Sequence, residues 1–171
     1  VKIDRIELRE VRMQLTEPFE ISSGVAYDRR VMVLALTCDG VTGWGECVAG
    51  EFPDYSYETI QTAWPMLTEL MLPKVLGAEA STAAGVSESI QWVRGHRMAK
   101  ASIEMAAHDL EAKLNGVSLA KHLGGVREAV PVGVSIGLQP NDEALHEKVA
   151  GFVEEGYSRI KIKIKPGRDI E

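Results

Sequence analysis

The 171-residue chain is 45% apolar and 26% charged, the proportions of a folded globular protein rather than a disordered one. Its 19 basic and 25 acidic residues leave a formal net charge of −6, and with no basic block it is a poor candidate for coating nucleic acid or a membrane surface. No apolar run approaches the roughly 20 residues of a membrane span, no basic-then-apolar leader opens the chain, and two cysteines cannot build a disulfide framework, so a reducing, cytoplasmic setting is expected.

The chain opens on Val1, with strand pattern almost at once, and the residues around Pro166-Gly167 follow a strand and lead nowhere. The expectation is that both ends are cut. Residues 3 to 15 predict a strand. Ile6 and Leu8 alternate, then Val11, Met13 and Leu15 alternate in the opposite phase, so a bulge or bend is expected at Arg9-Glu10. Residues 16 to 27 are too long for a tight hairpin and read as a loop, and loops of that length are often functional. The β-branched run from Val31 to Leu36 predicts a second strand. Asp39-Gly40 supplies the tight turn, and Val41 to Cys47 a third strand. Pairing through that turn sets Cys38 opposite Val41, so both cysteines read as buried thiols. The expected element is a three-stranded antiparallel meander.

A second loop spans 48 to 55, and residues 56 to 114 read as helical. Ser56 is the expected N-cap. Ile60, Ala63, Met66, Leu67 and Leu70 make one stripe, kinked or divided by Pro65. Val86, Ile90 and Val93 make a shorter one. The strongest helix covers 98 to 114, with Ile103, Ala106, Ala107, Leu110 and Leu114 on one face; Asn115-Gly116 ends it. Leu119 to Leu123 forms a last short turn before Gly124-Gly125. Then the pattern changes. Val130 to Leu138 reads as a strand, a helix begins at Asn141 or Asp142 and stops at Gly156, and Arg159 to Lys165 is a strand again. Strand, helix, strand over so short a stretch is a βαβ unit with parallel strands.

The last strand is the informative one. Ile160, Ile162 and Ile164 share one face, and Lys161, Lys163 and Lys165 the other. Judged alone, this is an exposed strand whose lysines discourage edge pairing. As the second strand of a closed parallel barrel, it would turn the isoleucines to the surrounding helices and the lysines to the barrel interior. Pro166-Gly167 then puts the lysines at the C-terminal end, where such barrels keep their active sites. Ammonium groups roughly 7 Å apart along a strand repel, and an anion or a metal-bound acid would relieve that repulsion.

Lys161-Ile162-Lys163 resembles the Lys-x-Lys signature at the end of the second barrel strand in the enolase superfamily, muconate-lactonizing-enzyme subgroup. The resemblance runs the length of the chain. It takes in Gly43-Trp44-Gly45-Glu46, Gly95 to Lys100, Ala107 to Leu110, Leu123-Gly124-Gly125 and Val134-Ser135-Ile136-Gly137. The last of these, with Arg159 to Gly167, is similar to the o-succinylbenzoate synthase and N-succinylamino acid racemase branch. The resemblance implies an α+β capping domain over residues 1–125, made of the meander and its helices. It implies that residues 126–171 are the first βαβ unit of a TIM-type barrel that is truncated here, since a barrel needs about 250 residues.

The resemblance also implies chemistry. An enolase-type site uses a Lys or His base with magnesium to stabilise an enediolate. Lys163 would be the acid/base, Lys161 a positive charge beside the substrate carboxylate, and Ser135 a substrate contact. Phe19 and its loop would close over the barrel mouth. Ser23 and Gly50 stand where relatives often carry bulky apolar residues, so both would line a roomier substrate pocket. Lys165 matches no catalytic position and reads as solvated charge. No metal ligand is expected within 1–171; the magnesium ligands would lie beyond Glu171, and the fragment alone would be inactive.

The implied activity is magnesium-dependent removal of a proton α to a carboxylate, by dehydration or racemisation. Dipeptide epimerase, muconate cycloisomerase and a non-catalytic anion-binding or scaffold domain stand as alternatives. The expected partner is a small-molecule carboxylate, with no nucleic acid and no membrane, and a homo-oligomer is left open.

Other residues carry less. Glu104 and His108, four apart on a helix, read as structural for want of a third ligand. His96-Arg97 reads as an anion contact or a helix-entry packing pair. His122 and His146 sit on expected exposed turns and receive no function, and Asp109 is expected to hold its helix to a neighbour. Cys38 has no nearby His and is a poor nucleophile candidate. Neither a G-x-G-x-x-G nor a P-loop is present.

Overall fold

Strands β1 (Arg5–Ile21), β2 (Gly24–Cys38) and β3 (Val41–Cys47) form a three-stranded sheet in that order. The computed structural model describes residues 2–21, 24–77 and 82–167. β2 and β3 pair antiparallel from Met32↔Cys47 to Cys38↔Val41, the register expected from the Asp39-Gly40 turn. Asp39 and Gly40 both have positive φ, at 50° and 77°, as a two-residue connection of this kind requires.

The reading of 16 to 27 as a loop is corrected. Apart from residues 22 and 23, which lie outside the described set, this stretch is strand. The apolar pattern concealed it because its stabilising contacts are main-chain bonds and ion pairs rather than a buried face. β1 also continues past Arg9-Glu10, while its half-buried residues change parity from Ile6 and Leu8 to Val11 and Leu15.

Two compact units emerge. One comprises Val1–Arg12 and Arg30–Val126, and the other Met13–Arg29 and Arg127–Glu171. In the first unit, Met32, Leu34 and Leu36 of β2 are fully buried in a core shared with the helical segments. Helix α1 (Ile60–Pro65) is capped by Thr59, not Ser56: the Thr59 hydroxyl accepts from Thr62 N, and Thr62 Oγ1 accepts from Thr59 N. Pro65 divides the helical run as expected. A π-helical segment, Met66–Met71, follows it and leads into α2 (Leu72–Val75), with Leu72 N donating to Leu67 O. α3 (Ala83–Ser89), α4 (Arg97–Leu114) and α5 (Leu119–His122) complete the unit.

α4 packs on β3, and the glycines of β3 allow the approach. A Cβ on Gly45 would collide with the Ser102 carbonyl and stand 2.9 Å from Ala106 N; one on Gly43 would strike Ala106 O and Leu110 N. The Asp109 carboxylate accepts from Trp44 N at 2.8 Å, and Lys113 Nζ donates to Thr42 O at 2.9 Å. Asp109 thus holds helix to strand. Cys38 and Cys47 are free and buried, and burial pushes both thiols up, away from the nucleophilic form. Among the described residues, no helix is long and apolar enough to cross a membrane.

The second unit carries β4 (Val134–Ile136), α6 (Asp142–Glu154) and β5 (Ile160–Ile162). Asn141 caps α6 through its side chain, accepting from Ala144 N at 2.9 Å. β4 and β5 pair in parallel, which makes the βαβ unit. Both strands are shorter than the apolar runs suggest. The ladder uses three residues on each side, and one further backbone bond extends it at either end, Val134 N donating to Arg159 O and Lys163 N to Ile136 O.

Candidate active site

The register of the parallel pair decides which side chains share a face. Val134 lies opposite Ile160, Ser135 opposite Lys161, and Ile136 opposite Ile162. Ser135 and Lys161 therefore project to the same side. One residue past the ladder, Lys163 N donates to Ile136 O at 3.2 Å, so its backbone is held at the C-terminal end of β4. Lys163 is half-buried and Lys161 exposed. The structure thus sets Ser135 beside Lys161 in the middle of the ladder and Lys163 just past its C-terminal end. A 500 Å³ depression lined by Gly133, Ser135, Arg159 and Lys161 opens on the same pair, and Lys163 is not among its walls.

The tip of the β1–β2 hairpin belongs to this unit. Leu138 N donates to Glu20 O at 3.1 Å, stitching β1 to the residues that follow β4. Gly137 makes the approach feasible: a Cβ there would stand 3.2 Å from Glu20 O and 3.5 Å from the Phe19 ring. Phe19, 39% exposed, sits on a strand beside the end of β4 rather than on a loose loop. Two ion pairs fix the tip further. Lys148 Nζ of α6 meets Glu17 at 2.6 Å, and Lys165 Nζ meets Glu20 at 3.4 Å. Lys165, read as solvated charge at the strand end, keeps a side chain 39% exposed and adds Glu20 as a partner. Glu17 and Glu20 escaped the sequence reading, because their partners lie 131 and 145 residues away and nothing local marks the pairing.

The remaining assigned positions lie elsewhere. Gly50 is in the other unit, exposed, with its carbonyl accepting from Ile60 N at 2.9 Å in a bridge to Thr59. Ser23 lies outside the described residues.

Residues 4–124 match the family described as "Mandelate racemase / muconate lactonizing enzyme, N-terminal domain". The chain belongs to this family. Among its curated relatives, o-succinylbenzoate synthase of Bacillus subtilis (strain 168) is 44% identical over 172 residues, covering 100% of this chain and 46% of that protein. N-succinylamino acid racemase of Amycolatopsis sp. is 42% identical over 171 residues, with the same coverage. A crystal structure of an enolase superfamily member from Listeria innocua Clip11262 superposes with a TM-score of 0.90 at 36% identity, over 99% of this chain and 46% of that one. The chain spans about half the length of the curated relatives it matches.

Within this enolase superfamily frame, Gly43-Trp44-Gly45 has a local physical reason: each glycine clears the backbone of α4, and the intervening amide is held by Asp109. Magnesium takes hard oxygen ligands, chiefly carboxylates. β4 and β5 carry a hydroxyl and an amine on their middle rung, with Lys163 just beyond, and Glu20 is paired with Lys165. These residues do not fit a magnesium site. Among the described residues, the groups of three that could hold a metal are His108–Glu111–His122 and Asp4–Cys38–Asp39, both in the first unit.

Proposed function

We propose that this chain is the capping domain (1–125) and the first barrel βαβ unit (126–171) of an enzyme that removes a proton α to a carboxylate, acting as an o-succinylbenzoate synthase, an N-succinylamino acid racemase or both. The observation that supports this is the pairing of Ser135 with Lys161 across a parallel strand pair, with the Lys163 backbone held just past its C-terminal end, in a chain more than 40% identical to enzymes of both names.

Lys163, its backbone fixed by Ile136 O, is the base. Its amine takes the α-proton, and the electron pair left on carbon moves into the carboxylate, giving an enediolate. Lys161, on the same face, opposes the growing negative charge. Ser135 orients the substrate by a hydrogen bond. Phe19, held beside Gly137, covers the reacting end and keeps water out. A proton returned to the opposite face of the carbon by an acid from outside this chain gives racemisation; departure of a β-hydroxyl as water, with the proton Lys163 has taken, gives dehydration. Ser23 and Gly50 are proposed as positions that set the choice of substrate. The magnesium expected of such an enzyme would be held by residues outside this chain.

The test is a substrate panel on the full-length polypeptide with magnesium present. It comprises N-succinylamino acids, the cyclohexadiene precursor of o-succinylbenzoate, dipeptides and muconate. Turnover of either of the first two, abolished by Lys163→Ala, supports the reading; turnover of only the last two replaces it.

A further inference from the structure

A second cluster of ligand-type side chains lies in the first unit, on elements other than those that carry the lysines. His108 and Glu111 are three apart on α4, so they share one side of that helix. His122 ends α5 and turns its ring toward them: His108 Nδ1 and His122 Nε2 are 3.0 Å apart, with the ring planes tilted by 56°. One ligand atom from each of the three residues lies within 4.8 Å of the others, and all three side chains are half-buried.

We propose that His108, Glu111 and His122 form a binding site for a borderline divalent cation of the zinc type, separate from the proposed reaction centre. Two imidazoles and one carboxylate, with a fourth position left to water, make a familiar zinc ligand set. Imidazole donors select zinc, copper or nickel over magnesium. The spacing agrees: zinc–nitrogen bonds of about 2.1 Å at a tetrahedral angle set two nitrogens about 3.4 Å apart. The ring nitrogens would separate by only a few tenths of an ångström to admit the ion. The carboxylate is also pre-oriented. Glu111 Oε2 accepts from Ala83 N, the first residue of α3, which leaves Oε1 for the metal. A bound ion would tie α5 to α4 through side chains that otherwise share a single hydrogen bond.

The experiment is a zinc titration of tag-free protein against a chromophoric chelator, paired with a cobalt(II) titration followed by visible absorption. The expected result is one zinc per chain, weakened on the order of 100-fold by His122→Gln and by Glu111→Gln. Glu111→Gln keeps a carbonyl oxygen to accept from Ala83 N. Cobalt should give tetrahedral d–d bands that saturate at one equivalent, a readout that needs no variant. Zinc affinity unchanged in the His108→Gln/His122→Gln double variant, or wild-type cobalt spectra lacking tetrahedral bands, would overturn the proposal.

Discussion

Glu58 is 2% exposed, and its carboxylate accepts from Met98 N at 2.9 Å and from Ala99 N at 3.1 Å. Those amides lie in the first turn of α4 and have no partner within the helix, and the N-cap residue, His96, sits at φ 46° with no capping side-chain bond. Glu58 therefore caps a helix 40 residues away. Glu58→Ala should cost about 3 kcal/mol, because it strands buried donors, and Glu58→Gln about half of that. Urea unfolding measures both, and an unchanged midpoint for Glu58→Ala would contradict the assignment. Glycines give a second contrast. Gly45→Ala forces a methyl against α4 backbone and should cost about 2–3 kcal/mol. Gly151→Ala on α6 meets nothing within 4 Å and should be neutral or stabilise by about 0.5–1 kcal/mol. The Lys-x-Lys pair and the glycines of β3 were legible in the sequence, because each is a short motif with its own geometry. Glu58 and the His108–His122 contact were not, because each joins elements that only tertiary folding brings together.

At the scale of elements, apolar periodicity located β2, β3 and α4, where one face is buried, and α6, whose Leu145, Val149 and Phe152 are half-buried. It failed for the hairpin tip, whose residues are held by Leu138 N and two lysines instead. That difference has a pH consequence. The hydrogen bond from Lys148, reinforced by its charge, holds the Glu17 carboxyl below the usual carboxylate range. A carboxyl lowered in the folded state favours folding at neutral pH, and that contribution is lost as pH falls through the lowered value. The tip should therefore loosen in acid below the usual Glu range. It should loosen at neutral pH in high salt as well, since the pair is exposed. Hydrogen exchange of residues 13–21 should rise under both conditions while that of the β2–β3 ladder does not; equal exchange in the two segments would refute an ion-pair latch. Glu10 is lowered in the same way by Arg30, at the other side of the hairpin's base.

For the whole molecule, the fold class was legible because the element order changes from meander and helices to strand–helix–strand between α5 and β4. The proposed reaction rests on resemblance, since three alternating lysines by themselves describe an exposed strand equally well. The chain matches 46% of its relatives' length, and its strand pair offers amines and a hydroxyl without a carboxylate set for magnesium. A polypeptide of these residues alone should show no magnesium-dependent turnover, and activity from it would mean that the reaction centre lies elsewhere. The central claim is that Lys163 moves the α-proton. The measurement is deuterium incorporation at the substrate α-carbon in D₂O by the full-length enzyme and its Lys163→Ala, Lys163→Arg and Lys165→Ala variants. Both Lys163 variants should lose exchange while keeping their fold, since guanidinium stays protonated. Lys165→Ala should be far milder, losing only the Glu20 pair. Normal exchange in the Lys163 variants with loss in Lys165→Ala would contradict the account and make Lys165 the base.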